Sequence, residues 1–202
     1  SVAATKVQLK VRFGEGFVPV QLVGRDGRIA DGVVSIDLNQ LYGGQEKYVI
    51  VKCDAAPGKA GDAREIAKAE VNFFNPIDEK QQKVTGVASV TYSADLAAVK
   101  ASVNRSVVKE TIFNENALRV EEAIRSADKG DFAAAQRAIT SNAAAVRQAQ
   151  ADLGDDAELD AELKSQVDGF SRSFRRENYS PRERKGAKTK SFQLFNQQKF
   201  KW

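Results

Sequence analysis

Residues Val87 to Val108 read VASVTYSADLAAVKASVNRSVV. Before Asp95 the apolar side chains fall on alternate positions, with Val84, Ala88, Val90 and Tyr92 sharing one side. After Asp95 the spacing widens to three and four, at Leu96, Val99, Val103 and Val107. A period of two is a strand and a period near 3.6 is a helix. The chain therefore changes from β to α architecture here, with no linker between them.

Upstream, the β pattern repeats. Val7, Leu9, Val11 and Phe13 alternate with Lys6, Gln8, Lys10 and Arg12, a half-buried strand with a charged outer face. Gly14 and Gly16 end it, and a second strand follows over 17–23, where Pro19 suggests an edge. Asp26-Gly27 is a hairpin signal, and Val34, Ile36 and Leu38 mark the next strand. Gly43-Gly44 is a tight turn before the β-branched run 48–53. Ala67, Ala69, Val71 and Phe73 alternate again, and the last strand runs 83–92. Short strands about ten residues apart, punctuated by Gly, Pro and Asp, predict an antiparallel β-sandwich over 1–93.

Downstream, the pattern is helical. One helix is expected from Asp95 to about Lys129, with a break near 114–116. Leu96, Val99, Val103 and Val107 form its apolar stripe. Gly130-Asp131 supplies a terminating glycine and then an N-cap aspartate. Phe132, Ala135, Ile139, Ala143 and Val146 mark a second helix. Gly154-Asp155 repeats the punctuation, with Glu158 placed for a capping box. Leu159, Leu163, Val167 and Phe170 mark a third. Turns this short force an up-down-up arrangement over 94–180. The expected fold class is α+β: an N-terminal antiparallel β-sandwich, a three-helix antiparallel bundle, and a basic, aromatic tail over 181–202.

Composition excludes several chemistries. The 202 residues contain no histidine and one cysteine. That removes the usual general base, His-based metal sites, an internal disulfide and a cysteine cluster. Cys53 reads as a small packing hydrophobe. Asp155, Asp156, Glu158, Asp160 and Glu162 lack the central glycine of a calcium loop and suit a helix start instead. No glycine-rich loop follows a strand and opens a helix, so nucleotide binding has no support. No enzyme, no cofactor and no metal are expected. No apolar run is long enough to span a bilayer. The chain opens on strand pattern and has no methionine, which implies a piece or processed product of a longer protein.

The net charge of +4 is unevenly placed. Residues 172–201 hold ten Lys/Arg and two acids, leaving 21 basic and 25 acidic residues elsewhere. The candidate site residues all lie in this tail: Arg182, Arg184, Lys185, Lys188, Lys190, Phe192, Phe195, Phe200 and Trp202. The four aromatics either dock onto the body or form a stacking and phosphate-contacting strip for nucleic acid or an anionic membrane. Their irregular spacing favours docking, and nucleic acid is not the expected partner.

Three stretches together resemble one family. They are LYGGQEKYVIVKC over 41–53, VTYSADLAAVKASVNRSVV over 90–108, and ADKGDFAAAQRAI over 127–139. The chain resembles the region following the von Willebrand factor type A domain in bacterial and archaeal proteins labelled calcium-activated chloride channel homologues. That domain's Asp-x-Ser-x-Ser metal site has no counterpart here, so no metal residue carries over. The resemblance implies a non-enzymatic structural and interaction module, supporting a type A domain in cis and a protein partner. It also implies an extracytoplasmic or cell-surface position. The alternative is an anion-binding module acting through the basic tail.

Overall fold

In the computed structural model, residues 1–154, 156–195 and 198–200 are described. The chain is α+β, and every strand pairing is antiparallel. The strands are β1 (Val2–Phe13), β2 (Phe17–Val23), β3 (Arg28–Ala30), β4 (Val33–Tyr42), β5 (Gln45–Lys47), β6 (Ile50–Ala55), β7 (Ala63–Asn75) and β8 (Lys80–Thr91). Helices α1 (Leu96–Ala101), α2 (Arg105–Asp128), α3 (Phe132–Leu153) and α4 (Ala157–Lys164) follow. A π-helical turn over Ser165–Phe170, a short α5 (Ser171–Ser173), α6 (Pro181–Phe195) and strand β9 (Gln198–Phe200) complete the chain. Two compact units result: the strands with α1 and the terminal β9, and the helices from α2 to α6.

In the strand unit, β1 lies mid-sheet in the order β3-β4-β1-β7-β8. Its apolar alternation puts Val7 into the core and Leu9, Val11 and Phe13 against it, where Val34, Ile36 and Leu38 of β4 are buried. The sandwich expectation is corrected on one point. In place of two comparable sheets, a five-stranded sheet carries the core, and the two-stranded β2–β6 ribbon adds Leu22 and Val51 to it. The hairpin signal is also displaced. The tight turn is Asp31-Gly32, both at positive φ (51° and 70°), joining β3 to β4. Gly27 serves close approach instead: a Cβ there would lie 2.9 Å from the Ser35 carbonyl oxygen.

The long first helix is interrupted at Ser102–Asn104, not at 114–116. Asn104 caps α2 by accepting from the Val107 N–H at 3.2 Å, which starts a new helix there. Asn114 and Asn116 are instead buried within α2. Asn114 donates to the Glu110 carbonyl at 2.9 Å, and Asn142 of α3 donates to the Asn116 carbonyl at 3.1 Å. The expected three-helix arrangement is thus replaced by a longer succession that includes α6.

The helical core follows its period. Val120, Ala123, Ile124 and Ala127 of α2 meet Ala135 and Ile139 of α3, with Phe170, Phe174 and Ala187 closing the cluster. A second cluster joins Val146, Ala149 and Leu153 to Leu159 of α4. Asp131 caps α3 by accepting from Ala134 N–H. Asp156, rather than Asp155, caps α4 by accepting from Glu158 and Leu159; Asp155 lies outside the described residues. Lys109 bridges Asp156 at 3.1 Å and also pairs with Glu158, so these acids hold a lysine where a capping box was expected.

The stripe Leu96, Val99, Val103 and Val107 is not core. These side chains are 75%, 44%, 44% and 56% exposed. Val120→Asp, a charge placed in the packed face of α2, is expected to cost several kcal/mol, whereas Val103→Asp should cost under about 0.5 kcal/mol. Thermal melts of the two variants check this; equal losses would mean that Val103 is covered.

Candidate functional site

The tail forms α6, and its docking face is set by spacing, not by aromatics. Arg184, Ala187 and Ser191 recur at three and four, so they share one side of the helix. Ala187 is 2% exposed and Ser191 is 1% exposed. Ser191 donates to Glu121 of α2. Arg184 grips the Asp128 carboxylate in a forked pair, with Nε at 2.8 Å from Oδ1 and Nη2 at 2.8 Å from Oδ2. Tyr179 Oη donates to the same Oδ1 at 2.7 Å. Lys190 bonds Glu162 at 3.0 Å and lies 5.2 Å from the centre of the Phe170 ring.

The charges respond to this geometry. Hydrogen bonds from Arg184, then Tyr179, hold the Asp128 carboxyl below the usual carboxylate range. Burial, then the bond to Asp128, pushes the Tyr179 hydroxyl up to about 12. The pair with Asp128 also raises Arg184.

The structure therefore sorts the predicted site residues into three groups. Arg184 and Lys190 are engaged in ion pairs, while Arg182, Lys185 and Lys188 are exposed. Phe192 is 65% exposed and Phe195 is half-buried. Phe200 lies on β9, whose backbone pairs it with Gln45 of β5, and Trp202 lies outside the described residues. An aromatic anchor at Phe192 is thus corrected: its neighbours Ala187 and Ser191 make the contact. The signal was the Arg184, Ala187, Ser191 period, which the run of aromatics obscured.

Among the described residues no three His, Cys, Asp or Glu side chains are grouped to hold a metal ion. A cleft of about 450 Å³ lies against Val7, Leu38, Leu41 and Val71. Lys47, which lines it, is tied to the backbone carbonyls of Leu38 and Gln40 at 2.9 and 2.6 Å. Burial raises the Cys53 thiol pKa, so it is not an activated nucleophile.

What remains is surface. Strand β8 is the last in the large sheet, and among the described residues no strand pairs with its other edge. Val84 and Val87 on it are 54% and 58% exposed. In the same unit, Leu96 and Val99 stand out from α1, which buries none of its residues. Val84 and Val87, three residues apart on one strand, face opposite sides of the sheet, whereas Leu96 and Val99 share one side of α1. Sequence periodicity identified Val84, Leu96 and Val99 as apolar-face residues but not that nothing covers them.

No family model and no curated protein sequence matches this chain. Solved structures do. One, von Willebrand factor type A from Catenulispora acidiphila, superposes with a TM-score of 0.53 at 12% identity, over 82% of this chain and 38% of that one. Another, the ArnB paralog VWA2 from Sulfolobus acidocaldarius, gives a TM-score of 0.45 at 15% identity, over 94% of this chain and 43% of that one. At these identities the likeness is one of fold, and the chain spans less than half of either protein. It corrects the family expectation. The fold shared over 82% of this chain is that of a protein described as von Willebrand factor type A itself, not of a region following one. An accessory module serving an absent type A domain in cis therefore has no support. The anion-binding alternative is not supported either, and two of its cations, Arg184 and Lys190, are paired with Asp128 and Glu162. No described helix is long and apolar enough to cross a membrane.

Two consequences of the α6 clamp can be measured. Asp128, depressed in the fold, contributes stability above its ordinary pKa of about 4, and this is lost as pH falls through the folded value. Tyr179, raised in the fold, contributes stability below its ordinary pKa of about 10, and this is lost as pH rises towards the folded value. Asp128→Asn should therefore lower the melting temperature between about pH 5 and pH 9, with the difference from wild type shrinking in stronger acid. A constant difference across the acid range would contradict the clamp. Ala187→Asp, which buries a charge against α2, should cost about 3 kcal/mol in denaturant melts, and Lys188→Asp under about 0.5 kcal/mol.

Proposed function

We propose that this chain is a non-catalytic protein-interaction module with an adhesion-type role, presenting apolar surface on its strand unit to a protein partner. The observation that carries this is the exposure of Leu96, at 75%, and of Val99, at 44%, on one side of α1, a helix that buries none of its residues. A soluble surface exposes single apolar residues freely, but a run of large ones has a use. The fold shared with von Willebrand factor type A fits an interaction role. The lack of histidine and the raised Cys53 thiol fit a chain that performs no acid–base or thiol chemistry.

A photoreactive amino acid placed at Leu96, in the protein produced in its native cells, tests the reading. Lys10, exposed on the charged face of β1, is the control position. Discrete protein adducts are expected from Leu96 and not from Lys10. Absence of adducts at Leu96, or equal yields at both positions, would overturn the interaction role.

A further inference from the structure

The sheets do not treat their edges alike. At one border of the large sheet, β3 has only three residues. The β2 edge of the ribbon carries Pro19, which has no N–H to offer. Shortness and proline are common ways to keep an edge from pairing. Strand β8, at the opposite border, has neither: it runs twelve residues, contains no proline, and has no lysine between Val84 and Thr91. Its register with β7 is regular from Asn75↔Lys80 to Ala67↔Ala88, so the edge stays extended over that length. Unpaired N–H and C=O groups along it form a template for another strand.

The sequence of β8 says which strand fits. A twofold axis perpendicular to the sheet runs two copies antiparallel and keeps their core faces on the same side. Opposed residues must then come from matching faces of the pleat, so the register must place residue i opposite a residue of the same parity. With Val87 on the axis, Val87 meets Val87 of the second copy and Val84 meets Val90. Thr85 meets Ser89, and Gly86 meets Ala88. Cross-strand β-branched pairs stabilise sheets, and the uncharged run puts no like charges opposite each other. The lysines fall at opposite ends, with Lys83 opposite Thr91. Centring on Gly86 instead would set Val84 against Ala88 and Lys83 against Ser89, a poorer match.

We infer that β8 is a self-pairing edge, through which two copies of this chain join antiparallel about Val87 into one continuous ten-stranded sheet. The inference rests on the interaction-module reading and names one partner for it, a second copy. Edge pairing covers little area, so the association is weak and depends on concentration.

Sedimentation velocity of the full chain at about 100 μM is expected to show dimer that dissociates on dilution. Val87→Lys puts two ammonium groups together on the axis and is expected to weaken the dimer at least about tenfold. Because that lysine also faces Lys68, a melt confirms folding, and a cysteine pair gives an independent readout. In a Cys53→Ser background, Val87→Cys should form an intermolecular disulfide on mild oxidation. Thr85→Cys should not, because its symmetry mate lies four residues away, roughly 13 Å. A monomer at high concentration, a dimer indifferent to Val87→Lys, or equal crosslinking at both positions overturns the inference. A monomer that still gives adducts from Leu96 sinks the self-pairing while leaving the interaction role intact. A dimer with no such adducts upholds the self-pairing.

Discussion

Strand β1 is hydrogen-bonded along both edges, to β4 on one side and β7 on the other, and the strand unit is registered by it. A buried backbone group without a partner costs as much as a lost hydrogen bond, so a central strand fixes the order of those around it. The same alternation that sends Val7 inward sends Lys10 and Arg12 out, which leaves one face apolar and one charged. In the order around β1, with β4 on one side and β7 on the other, β8 lies at the border, and among the described residues no strand pairs with its outer edge. Its position follows from pairing, and so does its open edge.

The helical unit is held by a different balance. Alanines at 123, 127, 135 and 187 keep the contacts between α2, α3 and α6 close, and aromatic rings fill the wider spaces. Phe174 stacks on Tyr179 at 5.6 Å, and Tyr179 meets the edge of Phe132 at 5.9 Å. Tyr179 thus serves twice, its ring in the core and its hydroxyl on Asp128. The Arg184 fork reaches the same carboxylate, so the end of α2 and the start of α6 are joined by one charged group. A helix that read as a loose basic tail is in this way part of the unit.

The change from strand to helix at Asp95 was legible because periodicity is a local property, and so was the cap at Asp131. What depended on choosing between chemically equal signals was not. Two Asp-Gly pairs lie close together, and only Asp31-Gly32 adopts the positive φ values of a tight hairpin. Three asparagines lie in the first helical stretch, and the one that breaks it is Asn104, whose side chain caps, while Asn114 and Asn116 are held within the bundle. The pattern at Leu96 and Val99 shows an amphipathic helix without showing that nothing covers its apolar side. The family likeness erred for a related reason: motifs in strands and turns describe local geometry, and a shared fold at 12% identity is seen only in three dimensions. The β8 edge was illegible because being a border depends on strand order, which no single strand's sequence encodes.

Two kinds of surface remain, an apolar one of open strand and bare helix and a charged one on the sheet. Charge supports this division: the outer sheet face is solvated and internally paired, as Lys83 is with Glu70 at 2.6 Å, while the edge beyond it is neutral. Amide hydrogen exchange along residues 84–91, compared between dilute and concentrated protein, tests the open edge most directly. The account predicts that the amides of β8 facing away from β7 exchange freely when dilute and become protected on concentration, while those of β1 stay protected throughout. Identical exchange of β8 at both concentrations would contradict it.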